Sequence, residues 1–191
     1  MNIRLLLFLT LFLAGMRTIA EPVLTPPGLP VGQRAPDFML KDQSGKDVSL
    51  ENMLQKGPVA VVFFRSATWC LYCKVQLLQL QRNLKQITDS GAQVVAISYD
   101  APETIKRFAS MQHITFPVLS DPQSKTIDAY GVRTTEATGK FTGMARHGTF
   151  VLDKNGVIRS KFLVFPYEDR AATASLVQAL KEAQNLKAGT K

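Results

Sequence analysis

Apolar residues occur along the chain in two patterns, as continuous runs and as stripes with helical spacing. Residues 59–64 and 94–97 form runs with no polar alternation, which is typical of central strands covered on both faces. The segment between them predicts one amphipathic helix that ends at Gly91. The positions that carry its stripe are Cys73, Leu77, Leu80, Leu84 and Ile87.

The remaining segments predict hairpins, short strands and further helices. Asn155-Gly156 is typical of a hairpin turn, and Pro102 followed by Glu103 is typical of a helix start. The two expected hairpins join residues 38–40 to 48–50 and 149–152 to 157–164. The other expected elements are a strand at 116–119 and helices near 125–130 and 176–183.

The alternation of strands and helices predicts an α/β fold with a central mixed β-sheet flanked by helices. Strand-helix-strand units place their strands in parallel, whereas tight hairpins make antiparallel pairs. Functional groups are then expected at the ends of the central strands. We expect one domain, over residues 34–186, without internal repeats.

Residues 1–20 have the layout of a secretory signal peptide, because Arg4 precedes a short apolar run and Ala20 precedes a turn-forming segment. The run is about half the length that a bilayer-spanning helix needs. We therefore expect cleavage after Ala20 and export, to the periplasm or outside the cell, with a signal anchor in the membrane as the alternative. Residues 21–33 then form an extended Pro/Gly-rich leader, and 187–191 a polar tail.

The formal net charge is +8, from 23 Lys and Arg against 15 Asp and Glu. A basic excess is one feature of proteins that bind nucleic acids. Here the basic residues are scattered among acidic ones, without the clusters and interleaved aromatic residues that grip phosphates and stack bases. No nucleic-acid partner is expected.

The chain has two cysteines, Cys70 and Cys73. A disulfide between them would close a very small loop, and the entropic stabilisation from a disulfide grows with loop length, so a structural role explains the pair poorly. A zinc site normally needs a second pair of ligands at regular spacing, and the sequence has no second cysteine pair. The spacing favours redox chemistry, with no metal and no cofactor.

Cys70 lies between the first central strand and the following helix, and we expect it to cap that helix. The unpaired amides and the dipole of a helix N-terminus favour a thiolate. Cys73 is in register with the apolar stripe, whereas Cys70 lies one turn earlier, at the exposed end. We therefore predict that Cys70 is the nucleophile and that Cys73 resolves its oxidised product into a disulfide.

Four segments carry a family resemblance, at residues 35–38, 63–70, 96–100 and 148–153. They resemble the peroxiredoxin-like branch of the thioredoxin superfamily, the alkyl hydroperoxide reductase and thiol-specific antioxidant (AhpC/TSA) proteins. The resemblance covers roughly residues 31–182. It implies a thioredoxin-like fold, an antioxidant activity through thiol-based reduction of peroxides or disulfides, and electrons returned by a thiol reductant protein or a small thiol.

The sequence departs from peroxiredoxins proper, whose Pro-x-x-x-Thr-x-x-Cys segment has Phe63 and Ala67 in place of Pro and Thr here. The Trp69-Cys-x-x-Cys arrangement instead resembles exported thiol-disulfide reductases of the same superfamily. Reduction of peroxides and reduction of disulfides in exported proteins are therefore alternative functions. A non-catalytic or metal-carrying thioredoxin-fold module is a third hypothesis.

Other residues are predicted to support the cysteines. Arg65 directly follows the central strand, where a cation would stabilise a thiolate or a bound peroxide, although a surface position explains it equally well. Arg146 has the same two interpretations. Trp69 is expected to shield Cys70 and to offer a docking surface.

By the resemblance, His147 occupies the place of the cis-proline that thioredoxin-like proteins have ahead of the strand beginning near Thr149. Thr149 is therefore included among the supporting residues. We expect His147 to be a solvent-exposed loop histidine. The alternatives are an imidazolium that pairs with the Cys70 thiolate, or a ligand that shares a soft metal with it.

Overall fold

The computed structural model describes residues 27–163 and 173–186. The predicted signal peptide at 1–20 and polar tail at 187–191 lie outside these ranges, as does the first part of the predicted leader. In the two ranges that are described, no helix is both long enough and apolar enough to cross a membrane.

Strands and helices alternate through the middle of the chain. The strands are β1 Met39–Lys41, β2 Asp47–Ser49, β3 Val59–Phe63, β4 Gln93–Ser98, β5 Val118–Ser120, β6 Gly148–Leu152 and β7 Ile158–Leu163. The helices are α1 Leu50–Leu54, α2 Leu71–Arg82, α3 Leu84–Asp89, α4 Pro102–Met111, α5 Lys125–Ala129 and α6 Thr173–Asn185. A short 3₁₀ turn covers Gly139–Phe141.

Within the described residues, the strands form one mixed sheet in the order β2-β1-β5-β4-β3-β6-β7. β3, β4 and β5 are parallel. Helices α2 and α3, and then α4, carry the chain back to the end of the sheet at which the preceding strand began. The predicted hairpins are present as the antiparallel pairs β1–β2 and β6–β7. The predicted α/β class with a central mixed sheet is confirmed.

Every side chain of β3 is buried, because helices cover both faces of the sheet. Ala60 and Val62 pack in a cluster with residues of α2, α4 and α6 on one face. Val59 and Val61 pack in a second cluster with residues of α1 and α5 on the other. This two-sided burial explains why the strand shows no alternation of polar and apolar residues.

Two predicted segments are arranged differently in the structure. The stripe expected on one helix lies on α2 and α3, because the side-chain amide of Asn83 donates to the Gln79 carbonyl at 2.8 Å and the helix is interrupted there. Leu50, expected at the end of the first hairpin, instead begins α1. The hydroxyl of Ser49 caps this helix by accepting the Asn52 amide hydrogen at 3.2 Å.

Gly28 and Leu29, in the part of the predicted leader that the structure describes, pack against the turn that follows α5. The amides of Gly28 and Leu29 donate to the carbonyls of Gly131 and Tyr130 at 3.0 and 3.2 Å. Gly28 has a φ of +82°, and a Cβ at this position would lie 2.8 Å from the Phe150 ring. A glycine is therefore required where the leader crosses the core.

Tyr130 is fully buried beside the rings of Phe63 and Phe150, with ring centroids 5.0 and 5.4 Å away. Its hydroxyl donates to the Pro36 carbonyl at 3.0 Å. Burial, with a smaller effect of the Asp37 carboxylate, raises the pKa of Tyr130 above its ordinary value. The phenol therefore stays neutral and joins the segment before β1 to the core.

Candidate active site

Cys70 and Cys73 form a disulfide at the start of α2. β3 ends at Phe63 and α2 begins at Leu71, so the pair lies beyond the carboxyl end of a central strand, as predicted. Cys70 is the N-cap residue, and its Sγ accepts the Cys73 amide hydrogen at 3.2 Å. A sulfur thus occupies the position where an oxygen of Ser, Thr, Asp or Asn usually caps a helix.

Both cysteine side chains are buried in this oxidised state. Cys70 is 2% exposed and Cys73 is fully buried, in the core cluster that also contains Leu77. The expectation that Cys70 is exposed is therefore wrong for the disulfide form, because its sulfur is bonded to a residue on the core face of α2. Leu71 and Tyr72, which lie between the cysteines, are 69% and 67% exposed.

The segment that joins β3 to α2 is anchored by a buried carboxylate, that of Asp100. The Ser66 hydroxyl donates to one carboxylate oxygen at 2.8 Å. The other oxygen accepts the Ala67 amide hydrogen at 2.7 Å and the Ser98 hydroxyl hydrogen at 2.8 Å. Ser66 in turn accepts the Thr68 amide hydrogen at 3.0 Å. The Asp100 carboxylate, just beyond the end of β4, therefore holds the backbone leading to Cys70 both directly at Ala67 and through Ser66.

Asp100 is a residue of the site that the sequence did not predict. Near this residue the sequence predicts only a helix start at Pro102, and α4 does begin at that proline. The available signal was that Asp100 follows one buried strand and Ser66 follows another. Because the carboxyl ends of adjacent parallel strands lie at the same sheet edge, a buried acid and a serine there are placed to meet.

Trp69 is held in place by three neighbours. Its indole N–H donates to the Tyr99 hydroxyl at 3.2 Å, and the Phe141 ring meets it edge-on with centroids 4.9 Å apart. The guanidinium carbon of Arg65 lies 5.4 Å from the centre of its ring. The indole is still 38% exposed, so a fixed aromatic surface adjoins Cys70.

The two arginines predicted as supporting residues have different surroundings. Arg65 lies over the Trp69 ring, in the segment that leads to Cys70. Arg146 forms an ion pair with Glu136 at 3.0 Å. A hydrogen bond from the Thr135 hydroxyl, together with Arg146, lowers the pKa of Glu136 below its ordinary value. The positive charge of Arg146 is therefore directed at this carboxylate, and its action on Cys70 stays a prediction.

His147 is buried, at 4% exposure, immediately before β6. The expectation of a solvent-exposed loop histidine is wrong, because the chain is already entering the sheet at this residue. Thr149 is also buried and pairs with Val62 of β3. Pairing of His147 with the Cys70 thiolate stays a prediction, and in the part of the chain that is described no three His, Cys, Asp or Glu side chains are grouped to hold a metal ion.

Comparison with known proteins identifies the family. Residues 31–161 match the sequence model of the AhpC/TSA family. The chain belongs to the AhpC/TSA family. Alkyl hydroperoxide reductase E of Mycobacterium tuberculosis is 38% identical over 144 residues, which are 74% of this chain and 90% of that protein. The chloroplastic peroxiredoxin Q of Sedum lineare is 36% identical over 155 residues, 78% of each chain.

Solved peroxiredoxin structures share the fold of this AhpC/TSA protein. Peroxidoxin BcpB from Mycobacterium tuberculosis superposes with a TM-score of 0.70 at 24% identity, over 84% of this chain and 99% of that one. A peroxiredoxin-like protein from Aquifex aeolicus gives 0.70 at 23% identity, over 82% and 89% of the two chains. The likeness confirms the predicted thioredoxin-like fold as a single domain. By family membership, the protein is a peroxiredoxin-like thiol oxidoreductase.

Proposed function

We propose that this AhpC/TSA protein is an exported thiol peroxidase, in which Cys70 attacks a hydroperoxide and Cys73 resolves the product. The observation that carries the proposal is the disulfide at the N-terminus of α2, with the Cys70 sulfur accepting a helix amide hydrogen. An amide directed at the sulfur stabilises a thiolate more than a thiol, and the thiolate is the nucleophile.

Each cycle consumes one hydroperoxide. The Cys70 thiolate attacks the terminal peroxide oxygen, the O–O bond breaks, and the other oxygen takes a proton and leaves as an alcohol or water. Cys70 is then a sulfenic acid. The Cys73 thiol attacks its sulfur, water leaves, and the disulfide forms. One electron pair has passed from the cysteines to the peroxide, and a thiol reductant must return it.

The structure supports resolution within the same helix turn. The Cα atoms of Cys70 and Cys73 are 5.3 Å apart, a normal separation for a disulfide. The sulfenic acid of Cys70 is therefore within reach of Cys73 without unwinding of α2. The hydrogen bonds that Ser66 and Ala67 donate to Asp100 hold the segment before Cys70 in place during the cycle.

Export is supported by the signal-peptide pattern of residues 1–20. It would place the enzyme in the periplasm or outside the cell. Expression of the full chain with a C-terminal tag, followed by fractionation and N-terminal sequencing, tests this. The expected mature protein begins at Glu21 outside the cytoplasm. A cytoplasmic protein that still begins at Met1 would contradict export, and a membrane-bound one would indicate a signal anchor.

A second candidate, reduction of disulfides in exported proteins, is favoured by one observation. Ala67 stands where peroxiredoxins proper have a threonine, and its buried methyl group offers no hydroxyl to a peroxide. Cys70 would then attack a protein disulfide and displace one of its sulfurs as a thiol, and Cys73 would attack the mixed disulfide and release the substrate as a dithiol. The two candidates differ in substrate and share the dithiol.

Stopped-flow reaction of the reduced protein with hydrogen peroxide and with an alkyl hydroperoxide separates the candidates. For a peroxidase we expect rapid sulfenic acid formation at Cys70, disulfide formation in the wild type, and a sulfenic acid that persists in Cys73→Ser. Cys70→Ser should not react. Slow peroxide reaction combined with rapid reduction of insulin would favour the second candidate and overturn the peroxidase proposal.

A further inference from the structure

Exposed apolar side chains are concentrated around the disulfide. We define the disulfide face by the large exposed residues Trp69, Leu71, Tyr72, Val75 and Met111. Trp69 directly precedes Cys70, and the next three lie on the first turns of α2, whereas Met111 ends α4. Single exposed apolar residues are ordinary on protein surfaces, but a group of them, with aromatic residues included, is characteristic of binding sites for other proteins.

A groove connects the two helices that carry this face. It has a volume of about 310 Å³, and its lining includes Ala67 and Thr68, which precede Cys70 in the chain, and Met111 of α4. Lys74 of α2 and Arg107 of α4 both line it. An extended segment of a partner chain that follows the groove away from Ala67 and Thr68 would therefore meet two cations.

The two charged residues that line the groove, Lys74 and Arg107, are both positive. α2 contains no acidic residue. Among the residues that the structure describes, neither Lys74 nor Arg107 forms an ion pair. Beyond Trp69, the ammonium group of Lys140 lies 5.2 Å from the centre of the Phe141 ring, which itself packs on the indole. A further cation thus lies next to the aromatic ring that packs on Trp69.

We propose that the disulfide face docks the cysteine-bearing segment of a reductant protein that is apolar beside its thiol and acidic around it. The apolar residues of the segment would cover Leu71, Tyr72 and Met111, and its carboxylates would face Lys74 and Arg107. Such charge complementarity acts mainly on the rate of association and falls with ionic strength. The inference rests on the proposed function only for the direction of electron flow.

The redox step balances with a dithiol partner. A partner thiolate attacks the Cys70 sulfur, the Cys70–Cys73 bond breaks, and Cys73 leaves as a thiolate that takes a proton. The second partner thiol then attacks the mixed disulfide and releases the Cys70 thiolate. The partner is oxidised to a disulfide, and this protein gains the electron pair. Because Cys70 is only 2% exposed, the first attack requires close contact with the face around it.

Synthetic cysteine peptides test the proposal without a natural partner. Three dithiol peptides with the same apolar residues beside their thiols carry acidic, basic or neutral outer residues. Reduction of the oxidised wild-type protein is followed through the fluorescence of Trp69, the single tryptophan, and checked by thiol titration. We expect the acidic peptide to react about tenfold faster than the basic one at low salt, with the ratio approaching one at high salt. A ratio of one at low salt would overturn the proposal.

Two double variants locate the effect. Lys74→Glu with Arg107→Glu should reverse the preference, so that the basic peptide reacts faster. Lys56→Glu with Lys154→Glu makes the same change in net charge near the amino end of β3, where Val59 pairs with Leu152, away from the disulfide. It should keep the preference for the acidic peptide. Equal loss of preference in both variants would mean that only the net charge of the protein matters, and it would contradict the proposed docking face.

These outcomes are independent of the peroxidase proposal. Reduction of the protein by the peptides starts from the disulfide form and involves no peroxide. The peroxide reaction starts from the reduced protein. A preference for the acidic peptide in a protein that does not reduce peroxides would support the proposed docking face and contradict the peroxidase proposal. A rapid peroxide reaction with no peptide preference would do the reverse. Should the Glu variants fail to fold, as judged by circular dichroism, Lys74→Gln with Arg107→Gln should abolish the preference without reversing it, and an unchanged preference in that variant would overturn the proposal.

Discussion

The carboxylate of Asp100 accepts the amide hydrogen of Ala67 at 2.7 Å and so ties the end of β4 to the segment that leads into Cys70. Two hydroxyl groups, from Ser66 and Ser98, donate to the same carboxylate. All of these groups are buried. The carboxylate is therefore the common acceptor of a network that fixes the entry to the active helix.

We predict that Asp100→Ala lowers the free energy of unfolding by about 3 kcal/mol, because it leaves buried donors without an acceptor. It should also slow the peroxide reaction of Cys70, because the segment at Ser66 and Ala67 loses its anchor. Asp100→Asn keeps one acceptor oxygen, so the losses of stability and of reaction rate should both be smaller for this variant. Urea unfolding and stopped-flow kinetics measure the two effects.

The matched control is Asp89→Ala, which removes an exposed carboxylate paired with Lys85 one helix turn away. Exposed pairs of this kind contribute less than about 0.5 kcal/mol. An Asp100→Ala protein as stable and as reactive as this control would show that the network does not position the segment.

Tyr130 is expected to make stability fall at alkaline pH. Burial raises its folded-state pKa above the ordinary 10.0, so above that pH the unfolded chain releases the phenolic proton while the folded chain keeps it. Stability from the neutral phenol is thus complete below pH 10 and is lost as the pH rises toward the folded pKa. By pH 11 the loss is about 1.4 kcal/mol.

Tyr130→Phe isolates this effect. At pH 7 the variant should be less stable by about 1 kcal/mol, because it loses the hydrogen bond to the Pro36 carbonyl. Near pH 11 the difference should vanish, since the phenylalanine has no proton to lose. Urea unfolding of both proteins at the two pH values measures it. A difference that stays constant with pH would show that the phenol does not titrate differently in the two states.

Gly57 and Gly45 differ both in backbone conformation and in the contact that a methyl group would make. Both have positive φ, 146° and 83°. A Cβ at Gly57 would collide with the carbonyl oxygen of Gly91, whereas at Gly45 no atom lies within 4 Å. Gly45→Ala should therefore cost about 1 to 2 kcal/mol for the left-handed conformation alone.

Gly57→Ala should cost more, about 3 kcal/mol or above, because backbone on both sides must move. Thermal unfolding of both variants compares the two costs. Equal losses would show that the turn before β3 adjusts freely to a methyl group.

The sequence was sufficient to predict an element where a single physical cause determined its pattern of polar and apolar residues. The run at 59–64 predicted β3 because each residue is buried by helices on one face or the other. The position of Cys70 between a strand and an apolar stripe predicted its capping role, which is local geometry. Most of the sheet, and the position of the cysteines beyond the end of its central strand, followed from such features.

Other features depended on information that periodicity does not carry. The apolar stripe continues past Asn83, so it gave no sign of the break between α2 and α3. The burial of Cys70 follows from its bonded state, and that of His147 from where β6 begins. The partnership of Asp100 with Ser66 requires that β3 and β4 be neighbours, which the chain order alone does not determine.

The Cys70–Cys73 disulfide is expected to contribute little to stability. Its sequence separation is 3, and loop closure of that size stabilises a protein by at most about 2 kcal/mol. In the reduced protein the Cys73 amide can still donate to the Cys70 sulfur, so the helix start is retained. We predict that reduction lowers the free energy of unfolding by no more than this amount, measured by urea unfolding with and without a dithiol. A loss above about 4 kcal/mol would be typical of a structural disulfide, and such a disulfide would be unsuited to a cysteine pair that must open in every cycle.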